Sequence, residues 1–155
     1  MALTQKVKLM FDTKKIKKII PHREPFFFLD EILELEVGKK AVGIKKVQKS
    51  EFSLKGHFPS YPVVPGVLIV EALAQVGAVI LLSNPLNKGK LPLFAGIDNF
   101  RFKKEVRPGD VLKLEVEIVK SKGSFGIGEA RALVSDEVAA SGRLIFALKN
   151  AEDTS

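Results

Sequence analysis

Gly66-Val67-Leu68-Ile69-Val70-Glu71-Ala72-Leu73-Ala74-Gln75-Val76-Gly77-Ala78-Val79-Ile80-Leu81-Leu82 decides how this chain folds. From Val67 to Leu82 only Glu71 and Gln75 are strongly polar. A run apolar nearly all round predicts one long helix buried on most sides. Asn84-Pro85 and Asn87-Lys88-Gly89 end it. At about 16 residues it is shorter and more polar than a membrane span, which takes roughly 18 to 20 apolar residues. A carboxylate carried into such a helix is costly unless it is paired or neutralised. Glu71 therefore needs a reason to be there.

Outward from the helix, the chain alternates strands and turns. Upstream, Pro59, Pro62, Pro65 and Gly66 predict an irregular loop. Ala41 to Lys49 reads as a strand, and Phe26-Phe27-Phe28-Leu29 as a buried one. Asp12 is placed to cap a short helix through Ile20, which Pro21 ends. Downstream, Leu93 to Phe102 predicts a strand, and Pro108-Gly109-Asp110 a turn. Leu112, Leu114, Val116 and Ile118 alternate with Lys113, Glu115 and Glu117, as on a half-buried strand. Lys122-Gly123-Ser124 turns the chain into Phe125 to Val134, and Asp136-Glu137 turns it into Val138 to Leu148. The pattern predicts an α+β domain, antiparallel strands around one central helix. No repeat or linker divides the chain, so residues 1–155 read as one domain with its core at about 12–148.

With 155 residues, the chain is long enough for a real core. It has no cysteine, which excludes disulfides, a thiolate nucleophile and thiolate metal sites. The start lacks the apolar stretch of a signal peptide, and the reading is a soluble, cytoplasmic protein. The net charge of +7 favours an acidic partner. The phenylalanines lie in apolar runs apart from the basic clusters, so no stacking platform for nucleic acid is formed.

Three features converge on chemistry. His57 titrates near neutrality and can act as a base. Glu71 lies in apolar surroundings, where desolvation favours its acid form. Gly66 opens the helix, where free N–H groups and the positive dipole end can hold a carbonyl oxygen. Glu71 lies about 7.5 Å farther along the axis. Gln75 follows one turn later on the same face and could orient it. Singly, a histidine before a loop is more often structural, and a helical glutamate more often exposed. Together, a base, an acid and an oxyanion donor suit removal of a proton alpha to a carbonyl, with loss of a beta leaving group. Two histidines and no cysteine leave too few ligands for a metal site. Ser53 and Ser60 lack the context of a serine nucleophile.

These residues resemble the signature of the 3-hydroxyacyl-acyl-carrier-protein dehydratases of type II fatty-acid synthesis. The resemblance rests on Gly56-His57-Phe58-Pro59, on Pro62-Val63-Val64-Pro65-Gly66-Val67-Leu68 and on Val70-Glu71-Ala72-Leu73-Ala74-Gln75. Ile20-Pro21-His22-Arg23 with Pro25-Phe26 is similar to the family's N-terminal segment. Phe94-Ala95-Gly96-Ile97-Asp98 with Arg101-Phe102 is similar to its central strand, and Val106 with Pro108-Gly109-Asp110 to its next turn.

The resemblance implies a hot-dog fold, an antiparallel sheet wrapped around one long helix. It implies a homodimer, commonly assembled as a trimer of dimers (a homohexamer), with His57 of one subunit facing Glu71 of the other. His57 would take the alpha proton of a (3R)-hydroxyacyl thioester, and Glu71 would protonate the departing hydroxyl. Gln75 would support Glu71, Gly66 would hold the thioester carbonyl, and Val63 would orient the His57 ring. Phe58 would join the substrate-binding residues. No cofactor or metal is implied. The acidic acyl carrier protein becomes the partner for the basic excess, with Arg101, Lys103, Lys104 and Arg107 as its docking candidates. Three departures stand out: Glu24 replaces a common tyrosine, Ser60-Tyr61 a common Gly-Arg, and Pro92 and Leu93 the site of a gating tyrosine. Other readings are a bifunctional dehydratase-isomerase, a non-catalytic module that binds acyl carrier protein, and a hot-dog thioesterase.

Overall fold

In the computed structural model, residues 6–7, 11–48 and 63–150 are described. The elements run β1 (Lys6–Val7), α1 (Thr13–Ile19), β2 (Glu31–Glu36), β3 (Lys40–Lys46), α2 (Gly66–Leu82), a 3₁₀ turn (Pro85–Asn87), β4 (Leu91–Phe102), β5 (Val111–Lys122), β6 (Phe125–Val134) and β7 (Glu137–Lys149). The strands form one seven-stranded sheet in the order β1-β2-β3-β5-β6-β7-β4. Every neighbouring pair is antiparallel.

The long helix is where the apolar run requires it, and 13 of its residues are buried. Small residues let the sheet close on it. A Cβ at Gly77 would stand 2.4 Å from the Phe146 ring of β7, so only glycine admits that ring against the helix. Gly43 of β3 likewise leaves room for Val76, which a Cβ would meet at 2.8 Å. On β5, Leu112, Leu114, Val116 and Ile118 point inward and are buried, as their alternation predicts.

Asp12 caps α1 through its side chain, which accepts from the Lys15 N–H at 2.9 Å. The turn from β6 to β7 is Ser135-Asp136, one residue earlier than expected, and both residues have positive φ (50° and 65°). A two-residue hairpin loop matched to the strand twist demands that backbone, even of residues with a Cβ.

One expected strand is corrected. Phe26–Leu29 is not a strand; the strand of this region is Glu31–Glu36. Phe27 and Leu29 are buried as a strand's residues would be, but among the described residues no neighbouring strand pairs with them. Their segment is held by a side chain of α2. The expected strand Leu93–Phe102 is present as β4, Leu91–Phe102. Among the described residues it lies at the edge of the sheet, paired only with β7. Leu93, Phe94, Ile97 and Phe102 are between 41% and 54% exposed on it. The apolar content is there, without a second neighbour among the described strands.

Candidate active site

Glu71 projects from the second turn of α2 into a small cleft. The cleft is walled by His22, Ala74 and Ala78, by Pro92, Leu93 and Phe94 of β4, and by Phe146 of β7. A register shift between Phe94 and Gly96 breaks the alternation of β4 just after these wall residues. The Glu71 side chain is 19% exposed, so it is partly buried. Burial pushes its carboxyl above the ordinary carboxylate value, and a hydrogen bond from Gln75 opposes that only in part.

Gln75 is fully buried and joins three partners. Its Nε2 donates to Glu71 Oε2 at 3.2 Å and to the Phe26 carbonyl at 2.9 Å. Its Oε1 accepts from the Phe28 N–H at 2.8 Å. The amide therefore does for Phe26–Phe28 what a neighbouring strand would do. This is the physical reason that the aromatic run is extended without belonging to the sheet. The same amide orients the acid, as the one-turn spacing predicts.

Gly66 is the first residue of α2, and Pro65 stands at its cap without a side-chain bond. The first-turn N–H groups of a helix have no acceptor within it. A Cβ on Gly66 would meet the Phe102 ring at 2.8 Å, so a side chain there would collide with β4. The segment before the helix is tied down where the Val64 N–H donates to the Val106 carbonyl at 2.8 Å. Val63 lies in that tied segment. His57 and Phe58 lie outside the described residues, as do the expected loop at Pro59–Pro62 and Tyr61.

His22 is the residue that sequence reasoning passed over. Its Nε2 lies 3.9 Å from Glu71 Oε2. Its signal in the sequence is indirect: it lies in Ile20-Pro21-His22-Arg23, the segment similar to the family's N-terminal one, without a role assigned to it. Pro92 and Leu93, noted as replacing a tyrosine, do line the Glu71 cleft.

The four basic docking candidates are all exposed. Lys104 is paired with Glu137 at 3.1 Å and Arg107 with Glu105 at 2.7 Å. Arg101 and Lys103 instead line a broad groove on the face of the sheet away from α2. That groove is lined by cross-strand ion pairs, Arg131 with Glu115 and Arg143 with Glu129. It has charged walls and no acid-base pair set apart from water, so it is a solvated face and not the reaction site. Among the described residues no group of histidine, aspartate and glutamate side chains is arranged to hold a metal ion.

The comparisons with known proteins agree with one another. The family model of the FabA-like domain matches residues 20–143. The 3-hydroxyacyl-[acyl-carrier-protein] dehydratase FabZ of Geobacillus thermodenitrificans is 59% identical over 139 residues, 90% of this chain and 96% of that protein. The dehydratase of the same name from Staphylococcus haemolyticus is 56% identical over 142 residues, 92% of this chain and 98% of that protein. Among solved structures, a chain of the dehydratase heterocomplex ApeI:P from Xenorhabdus doucetiae superposes with a TM-score of 0.76 at 18% identity, covering 88% of this chain and 92% of that one. At that identity the likeness is one of fold, and the fold is the expected hot-dog.

Proposed function

This chain belongs to the FabA-like family, among the FabZ-type 3-hydroxyacyl-acyl-carrier-protein dehydratases, and we propose that it converts (3R)-hydroxyacyl-acyl carrier protein to the trans-2-enoyl thioester in fatty-acid synthesis. The observation that carries the reading is the Glu71 carboxyl, partly buried and held by Gln75 at the floor of a cleft beside the start of α2. A carboxyl kept above its ordinary pKa is suited to give a proton to a leaving hydroxyl.

His57 takes the proton from C2 of the thioester. The electrons of that bond form the C2–C3 double bond as the C3–O bond breaks. Glu71 protonates the departing oxygen, which leaves as water. Charge that develops on the thioester carbonyl is met by the Gly66 N–H at the positive end of α2. Val63 orients His57, and Phe58 contributes to the acyl-binding wall. Incubation with 3-hydroxybutyryl-acyl carrier protein is expected to yield the enoyl thioester, followed by its absorbance. No product while the carrier protein still binds would instead assign the chain to a non-catalytic module.

The site needs a second copy of the chain. The cleft at Glu71 has a volume of about 60 Å³, room for a few waters but not for an acyl chain. β4 supports the dimer, since it is a 12-residue edge strand with exposed Leu93, Phe94 and Ile97. Such an edge is a ready template for pairing with another strand. Trimers of such dimers complete the proposed assembly, and sedimentation equilibrium that returned only monomers would remove it. The reading extends to a cytoplasmic location, in keeping with a chain free of cysteine. Among the described residues no helix is long and apolar enough to cross a membrane.

The acidic carrier protein docks on Arg101, Lys103, Lys104 and Arg107. Charge reversal at Lys103 and Lys104 is expected to raise KM for the carrier-bound substrate more than for a small thioester analogue. Equal effects on both substrates would remove this surface from the docking site.

A further inference from the structure

The cleft that holds Glu71 holds a second titratable group, His22, for which the proposed chemistry has no use. His22 Nε2 faces Glu71 Oε2 at 3.9 Å. Its other ring nitrogen, Nδ1, is buried with no hydrogen-bond partner among the described residues. An imidazolium needs an acceptor for each of its two N–H groups, and Nδ1 has none, so the site favours the uncharged ring. An orphaned N–H is rarer than an orphaned lone pair, which puts the single proton on Nε2, toward Glu71.

The surroundings act in the same direction. Arg23 is fixed next to His22 by donating to the carbonyls of Ile20, His22 and Lys17 at 3.0, 2.6 and 2.9 Å. Burial and that guanidinium both hold the His22 pKa below its ordinary value. The walls contributed by α2, β4 and β7 are Ala74, Ala78, Pro92, Leu93, Phe94 and Phe146, none of them titratable. Glu71 and Arg23 are thus the charged or titratable groups facing His22 from the described elements.

We propose that His22 is a positioning residue for Glu71: its uncharged ring, opposite the Gln75 amide, orients the carboxyl without placing a positive charge beside it. The Gln75 hydrogen bond at 3.2 Å and the Nε2–H dipole of His22 at 3.9 Å, beyond hydrogen-bond length, both favour Oε2 as the acceptor oxygen. Oε1 is left to carry the proton that goes to the leaving hydroxyl. A cation in the place of His22 would favour the carboxylate and disable the acid. The inference rests on the reading of Glu71 as the proton donor.

The test compares wild type with His22→Gln, His22→Phe, His22→Lys and Glu71→Gln as full-length assemblies. It measures kcat and KM against pH with 3-hydroxybutyryl-acyl carrier protein, and the ¹³C carboxyl titration of Glu71. His22→Phe is expected to lower kcat about tenfold with KM nearly unchanged, the sign of an interaction made in the transition state. His22→Gln, which keeps a neutral N–H donor, restores most of that loss. His22→Lys moves the Glu71 titration, and the alkaline fall of kcat with it, down by about one pH unit or more. Titration and kcat profiles that coincide with wild type in the Phe and Lys variants overturn the proposal, provided Glu71→Gln is itself impaired. Full activity in Glu71→Gln overturns the reading beneath it. Should His22→Lys fail to fold, the comparison of Phe with Gln decides: equal losses in both refute a role for the N–H donor.

Discussion

Glu71→Gln is expected to lower kcat by about 100-fold or more, the usual scale for a lost general acid. The amide preserves the shape of the carboxyl and can still accept from Gln75, so the fold is retained and only the proton is lost. His57→Ala is expected to cost as much through loss of the base. Each variant alone is nearly inactive, but their mixture is not. If His57 and Glu71 meet across the dimer, an exchanged heterodimer contains one site with both residues intact and one with neither. Random exchange then restores about a quarter of wild-type activity, the share set by two-fold symmetry. A mixture as inactive as its components, after exchange is verified by mass, would place both residues of a site in one chain. Near wild-type turnover by either variant would remove its assigned role.

The same substitution has a signed effect on stability. The folded chain holds the Glu71 proton more tightly than the unfolded chain does, since burial raises the pKa. That contribution is fully present below the unfolded value and is lost as pH rises through the folded one. Gln cannot ionise. Glu71→Gln is therefore expected to leave Tm nearly unchanged at pH 4 and to raise it at pH 8. A lower Tm at pH 8 would contradict the account of Glu71 as a carboxyl retained at a cost.

The second large effect is expected at Gln75. Gln75→Leu keeps the volume and removes the partners of the Phe28 N–H and the Phe26 carbonyl. Leaving partly buried backbone groups unpaired costs about 1–3 kcal/mol each, so a loss of about 2–6 kcal/mol is expected in urea denaturation. That is a large fraction of the roughly 5–15 kcal/mol that holds a domain folded. Glu71 loses its donor at the same time. Its pKa rises further, because the Gln75 bond is what opposes the effect of burial. The alkaline limb of kcat should move upward in this variant, opposite to its movement in His22→Lys. A loss below about 1 kcal/mol would mean that water replaces the amide at Phe26 and Phe28.

Much of the architecture follows from local pattern. The apolar run with only two polar interruptions fixed a single buried helix, because no other conformation hides residues on every side. Strict alternation placed β5, and turn residues placed the ends of β6, because both are properties of a few consecutive residues. Phe26–Leu29 was misread for the complementary reason. Local apolarity says that the segment is buried, but which group satisfies its backbone depends on Gln75, 47 residues away from Phe28. Sequence likewise assigned β4 its strand but not its place, since edge and centre differ only in what lies alongside.

For the site, residue type and spacing supply the ingredients: an acid in an apolar helix, an amide one turn later, a glycine at the helix start and an upstream histidine. Those are matters of residue type and spacing along one element. Folding brings together what spacing cannot: Gln75 serves both Glu71 and the aromatic run, and His22 stands 3.9 Å from the acid. It alone placed Pro92, Leu93 and Phe94 as the walls of that cleft. A carboxyl's protonation state is set by the charges and dipoles within a few ångströms, and here those come from segments far apart in the chain.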